Sequence, residues 1–234
     1  MPHRLRHARA YPYDAPEHSY VLTQLGPVPM HEEAWEALEY LTPVIASGSN
    51  RAPERLMKKF QGLAHSPIPV TLAEVHGLDS VYSAHVSSYG AIPATLHPTP
   101  DTVSHLAVTW LDDIALQRMH ETESLGVNYD FEEMTGVRVE VDGRRTIENA
   151  FAYISRRGAF SPDGSPIALA PIDAQNRTFT ELDQESVMAR AHAHLNIVDL
   201  IDDFFLSLIE DADRRLHISG LMEQAGLSFA NRAA

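Results

Sequence analysis

Two features of this sequence could do chemistry: a carboxylate at the inner end of a helix, and a small-residue loop between a strand and a helix. Counting back by fours from Glu123 reaches Met119, Ala115 and Leu111, all apolar. Side chains at that spacing share one face of a helix. Glu123 continues this stripe toward the core, while Glu121 points about 200° away round the helix. An inward carboxylate is costly unless it is bonded or used. Burial raises its pKa, which is what a general acid or base working near neutrality needs. In a second reading, Ser124 and Gly126 end the helix early and Glu123 turns to solvent. The sequence alone leaves both open.

The loop is Gly48-Ser49-Asn50. Pro43 to Ser47 (PVIAS) is short and apolar, like a buried strand, and the loop breaks it. Pro53 then stands where a helix accepts proline, in its first turn. Leu56 and Phe60 form an apolar i, i+4 pair behind it. Such a strand–loop–helix turn gathers backbone N–H groups that lack partners and adds the positive end of a helix dipole. A carboxylate or phosphate suits that place, and glycine lets a ligand approach the backbone. The plainer account is that Gly48 permits the turn and Ser49 or Asn50 caps the helix.

Other chemistries find less support. The chain of 234 residues has no cysteine, which removes disulfides, thiolate metal sites and a cysteine nucleophile. Among thirteen histidines, His192 and His194 are two apart on a helical stretch and face different ways. His120 lacks an H-E-x-x-H context. His85, His97 and His105 lie on or near strands and could meet in space, but no metal and no organic cofactor is expected. Ser87 and Ser88 lack a G-x-S-x-G setting. Net charge is −14, from 32 acidic against 18 basic residues, so a phosphate backbone would find no basic run to release its counterions. No run approaches the about 20 apolar residues that span a bilayer. Arg4, Arg6 and Arg9 are followed by no apolar core of a secretory signal. The expectation is a cytoplasmic protein with no nucleic-acid or membrane partner.

Elements must position these groups. Residues 1–30 read as an irregular arm rich in His, Arg, Tyr and Pro. His31 to Tyr40 reads as a short helix. Strand-like pieces run from Ile68 to Val75, Val81 to Ser88, Ala94 to Leu96 and His105 to Leu111. Asp112 to Glu123 is helical. Val137 to Val141 alternates ahead of Asp142-Gly143, a hairpin signal, and Ala150 to Ser155 supplies another strand. Thr180 with Asp183 resembles a capping box. Met188, Ala191, Leu195, Val198, Phe205 and Leu208 then predict one long helix to about residue 210, with helical pattern again after Ser219-Gly220. The fold class is α+β: a mixed β-sheet or small barrel, flanking helices and a long C-terminal helix. Its broad stripe, with Phe204 and Phe205, raises a homodimer as a further expectation.

In their order along the chain these pieces resemble the γ-glutamylcyclotransferase family and its AIG2-like relatives. That family carries a Tyr-Gly-Ser-Asn loop after its first strand; here Ser47-Gly48-Ser49-Asn50 is followed by Arg51-Ala52-Pro53-Glu54-Arg55-Leu56, similar to the family's helix start. Pro93 to Pro98, then Leu106 to Leu111, then Met119-His120-Glu121-Thr122-Glu123 match the family's later strands and its helix-terminal Glu. Tyr129, in Asn128-Tyr129-Asp130-Phe131, matches the Tyr that opens the next strand, and Ala152-Tyr153-Ile154 is similar to a further strand. The resemblance covers about residues 42 to 160. It implies residues 41–180 as a γ-glutamylcyclotransferase-like domain, with 1–40 an N-terminal extension and 181–234 a C-terminal helical extension packed on it. It also implies a small-molecule γ-glutamyl amide as substrate, Glu123 as general base and acid, and Ser47, Gly48, Ser49, Asn50 and Tyr129 as substrate-binding residues. The products would be 5-oxoproline and an amine or amino acid, with no metal. Two positions depart from the family pattern: Ser47 replaces its Tyr, and Ser124 its Gly. A non-catalytic ligand-binding or regulatory module, or a hydrolase of another amide, are the alternatives.

Overall fold

The computed structural model describes residues 3–229. The chain opens with helix α1 (His3–Arg9), the hairpin β1 (Tyr20–Thr23) and β2 (Gly26–Pro29), then α2 (Glu32–Ala37) with a 3-10 turn at Leu38–Tyr40. β3 (Thr42–Ala46) leads through a 3-10 turn at Ser49–Arg51 into α3 (Pro53–Phe60). Two long strands follow, β4 (Ile68–Tyr82) and β5 (Ala94–Leu111), then α4 (Asp113–Thr122). Short strands come next: β6 (Tyr129–Glu133), β7 (Val139–Val141), β8 (Arg145–Ile147), β9 (Phe151–Ser155), β10 (Ala159–Phe160), β11 (Ala168–Leu169), β12 (Ala174–Gln175) and β13 (Glu181–Leu182). Helices α5 (Gln184–His194), α6 (Ile201–Glu210) and α7 (Ala212–Glu223) and the short β14 (Gly226–Leu227) complete it.

The fold is α+β around a mixed sheet that stays open, its path running β13-β11-β4-β5-β3-β9-β6. β4 and β5 pair antiparallel along nearly their whole length. The other edge of β4 is taken in turn by β1, β7 and β11. β3 lies antiparallel to β5 and parallel to β9, so it sits in the sheet's interior with its carboxyl end aimed at the site. One apolar cluster packs α3 and α4 on the sheet through Leu56, Phe60, Leu111, Ala115 and Met119. The larger cluster, on the opposite face, takes Leu5, Tyr11 and Trp35 from the start of the chain and Phe204, Phe205, Leu208, Ile218 and Met222 from its end.

Several expectations need correction. The first 30 residues are not an irregular arm, because β1 pairs with β4 and Leu5 and Leu22 are fully buried. The four strand pieces between 68 and 111 are two strands. Gly77, at φ +78, makes a bulge and not an end, and Pro98 and Pro100 lie within β5. The single long C-terminal helix is two, α5 and α6. Asn196 adopts φ +53, a left-handed conformation that stops α5. Asp183, not Thr180, is the cap, its carboxylate accepting from the Ser186 N–H at 2.8 Å. α7 runs through Gly220 and does not start after it. Phe204, Phe205 and Leu208 of the predicted stripe are buried in the chain's own core. The sheet is no barrel, since β13 and β6 end its path unpaired with each other. The hairpin does form at Asp142-Gly143, both at positive φ as such a turn requires.

Candidate active site

The carboxyl end of β3 delivers the chain to Ser47-Gly48-Ser49-Asn50, and side chains from neighbouring elements fix this loop. Ser80 Oγ donates to the Ser47 carbonyl at 2.5 Å, Thr109 Oγ1 to the Asn50 carbonyl at 3.1 Å and the Tyr20 hydroxyl to the Arg51 carbonyl at 3.0 Å. Gly48 is needed for a close approach. A Cβ there would run into the Tyr11 hydroxyl and stand 2.9 Å from the Ala94 Cβ. Neither Ser49 nor Asn50 caps α3: its N-cap is Ala52, with no side-chain bond, and Pro53 follows. The helix-cap account of the loop therefore fails, which leaves the Asn50 side chain for other use.

Asn50 points its amide at Glu123. Its Nδ2 donates to Glu123 Oε1 at 2.9 Å. Glu123 is the C-cap of α4, still at helical φ and ψ, and its N–H bonds the Met119 carbonyl. The inward stripe of Leu111, Ala115 and Met119 is buried, and the Glu123 side chain keeps only 15% exposure. Of the two readings of Glu123, the inward one holds. Ser124 then takes φ +55 and turns the chain away.

Lys59 adds what the sequence did not suggest. Its side chain is only 7% exposed, and its ammonium forms an ion pair with the same Oε1 and lies 3.6 Å from Met119 Sδ. Both donors therefore meet one oxygen, and Oε2 has no hydrogen bond among the described residues. This reverses the expected pKa direction. Burial raises the Glu123 carboxyl, but Lys59, Asn50 and Arg55 together outweigh it and hold the group below the usual carboxylate value. Burial likewise lowers the Lys59 ammonium against the pull of Glu123.

Beside this pair opens a cavity of about 480 Å3, lined by the 47–50 loop, Arg55, Lys59, Glu123, Tyr129 and residues of α7. That size suits a small organic ligand. Two tyrosines frame it by clasping one residue. The Ala94 N–H donates to the Tyr11 hydroxyl at 2.8 Å, and the Tyr129 hydroxyl donates to the Ala94 carbonyl at 3.0 Å. Tyr129 thus stands in the cavity wall, with its hydroxyl already engaged. A tyrosine ring does flank the loop although position 47 is serine, and it comes from Tyr11. No local pattern in the first 30 residues marked it.

His85 also lines the cavity. Its Nδ1 and Ser83 Oγ are 2.7 Å apart, and Ser83 Oγ bonds Ser155 Oγ at 2.6 Å. Burial, helped by Arg157, pushes its pKa down to about 3, so it is neutral. Ser87 and Ser88 border the cavity, but the histidine bonds Ser83 instead. His85, His97 and His105 do not assemble: His97 packs on Phe179 and His105 meets Gln175. Among the described residues, Glu74, His76 and Glu140 bring possible metal-ligand atoms within 4.8 Å of one another. That group lies outside the cavity, and Glu140 is already bonded to His76 and Arg138. No described helix is long and apolar enough to cross a membrane.

No family model matches the chain, and no curated protein matches it. Among solved structures, a gamma-glutamyl cyclotransferase is 19% identical with a TM-score of 0.39, and the likeness covers 49% of this chain and 66% of that one. A structure of an uncharacterized Homo sapiens protein is 16% identical with a TM-score of 0.35, over the same shares of the two chains. The likeness thus spans about half of this chain and just under two thirds of each neighbour.

Proposed function

We propose that this protein cleaves a γ-glutamyl amide by intramolecular attack, releasing 5-oxoproline and an amine or amino acid. The observation that carries the reading is the meeting of Asn50 and Glu123 at the wall of one cavity, with Glu123 Oε2 left open to it. In this reaction the substrate's α-carboxylate lies toward the N–H groups of the 48–50 loop and its α-ammonium bonds Glu123 Oε2. Glu123 takes one ammonium proton. The freed amine attacks the γ-carbonyl carbon, forming the ring C–N bond and an oxyanion. The oxyanion collapses and the bond to the leaving nitrogen breaks as Glu123 returns the proton to that nitrogen. The carboxylate then takes the second proton from the ring nitrogen, which becomes the lactam N–H, and passes it to the released amine. Holding the glutamyl chain folded supplies much of the acceleration, because the attack is unimolecular. Proton transfer contributes about 10²–10⁴-fold. Loop N–H groups facing the oxyanion contribute about 3 kcal/mol. No step calls for a metal.

The test is to incubate the protein with γ-glutamyl amino acids, γ-glutamyl amines and glutathione and to assay 5-oxoproline. Glu123→Gln keeps the shape but accepts no proton, so turnover should fall by at least about 10²-fold. Turnover that survives this change would remove Glu123 from its role.

One observation favours a second reading, a binding module without turnover. Lys59 holds Glu123 as a carboxylate of low proton affinity, which suits a fixed counter-ion for a ligand ammonium better than a base. Tight calorimetric binding of glutamyl compounds with no product formed would select it.

A further inference from the structure

The cavity holds a second charged group that the proposed chemistry leaves unused. Arg55 lies one helical turn before Lys59 on α3, so both face the cavity. Lys59 has Glu123 as counter-ion and Arg157 has Glu223. The Arg55 side chain has no hydrogen bond and no ion pair among the described residues, and its Nε is buried without a partner. Its guanidinium is stacked 4.4 Å from the centre of the Tyr89 ring and 5.8 Å from that of Tyr13. The Tyr89 hydroxyl in turn lies beside the Ser49 and Ser87 side chains, which ties this arginine to the loop.

In a chain with 32 acidic and 18 basic residues, a guanidinium left unpaired at a cavity wall is unusual. A buried N–H donor without an acceptor costs about 1–3 kcal/mol, and the stacking fixes the fork in one plane before any ligand arrives. A planar fork of that kind fits a carboxylate through two parallel hydrogen bonds. Across the site, Asn50 Oδ1 is an orphan of the opposite kind, a buried acceptor with no donor. One cavity therefore offers an unfilled place for an anion and an unfilled place for an N–H donor. An α-amino acid head carries both groups on one carbon.

We propose that Arg55 is the anion subsite of this cavity and takes a ligand carboxylate through its two terminal nitrogens. The subsite rests on the proposed function: the carboxylate is the α-carboxylate of the glutamyl unit, shared between Arg55 and the loop, while Asn50 Oδ1 and Glu123 receive the ammonium. It makes a free α-carboxylate a condition of recognition.

The experiment is calorimetric titration of the full chain with 5-oxo-L-proline, the product of the proposed reaction, and with 5-oxo-L-prolinamide, which lacks the charge. The wild type should prefer the acid by about 10- to 100-fold. Arg55→Met should abolish that preference, and Arg55→Lys, which keeps the charge but not the fork, should retain only part of it. If Arg55→Met fails to fold, Arg55→Lys decides: a reduced preference supports the subsite and an undiminished one overturns it. A wild type that binds both compounds equally overturns the subsite and leaves the cyclotransferase reading standing, as does a preference that survives in Arg55→Met. A wild type that binds neither overturns both.

Discussion

Lys59 decides what kind of carboxylate Glu123 is. A buried Glu with no cation nearby would titrate near neutrality and hold a proton for part of the time. Here the ammonium and the Asn50 amide keep it ionised below the usual carboxylate value. Because its folded-state pKa lies below that of the unfolded chain, Glu123 stabilises the fold at pH above the unfolded value, and that contribution disappears as pH falls through the folded one. Lys59→Met should therefore act twice. Removing one partner of a buried pair should cost about 3 kcal/mol near pH 7, read from chemical denaturation. It should also raise the Glu123 pKa and move the acid limb of the kcat/KM profile to higher pH. An acid limb in the same place would show that Lys59 does not tune Glu123. Little of this could be read from residue types. Ala115 and Met119 on α4 pointed Glu123 inward correctly, because helical spacing is local, although Leu111, counted in the same stripe, ends β5. Lys58 and Lys59 look alike in the sequence, yet one is exposed and the other buried. The difference arises only when α4 packs beside α3.

At the scale of elements, α4 ends in a way that aims its last side chain. Asp112 caps its start, the carboxylate accepting from the Ala115 N–H at 2.8 Å. At its end Glu123 stays helical and Ser124 reverses the chain with φ +55. A non-glycine residue in that conformation bears a penalty of about 1–2 kcal/mol. Ser124→Gly should therefore stabilise the protein by about 1 kcal/mol, a rise in Tm of about 2–4 °C for a domain of this size. A fall in Tm would mean that the serine side chain contributes more than the backbone loses. The same scale explains where strand boundaries were misread. Gly77, Pro98 and Pro100 are strong local breakers, but here the bulge absorbs the glycine. Pro98 pairs with Leu78 inside the β4 ladder, and Pro100 lies in the stretch of β5 opposite the bulge, where the register between the two strands shifts. Pairing with distant strands overrides local preference, and a single sequence does not display its partners.

Over the whole molecule, the cavity is built from the two ends of the chain as well as its middle. Tyr11 reaches Ala94, Arg9 bonds Asp202, and α7 supplies part of the cavity wall. The central loop, strand and helix were legible because each is a short run with its own pattern. The clasping tyrosine was not, since a ring in a Pro-rich stretch carries no mark of where it will dock. The clasp on Ala94 also orders events in time. Contacts between residues far apart in sequence close late in folding, because the intervening chain must first be organised. β4 and β5 are neighbours in the chain and pair with each other, whereas the ring from Tyr11 can lock only onto a finished strand. During refolding, ligand-binding competence should therefore lag behind recovery of the far-UV circular dichroism signal. A stopped-flow experiment in which the two recover together would show that the first residues dock early. If the lag is found, a newly made chain has its sheet before it has its function, and the segment around Tyr11, made before the strand it clasps, takes its place after that strand.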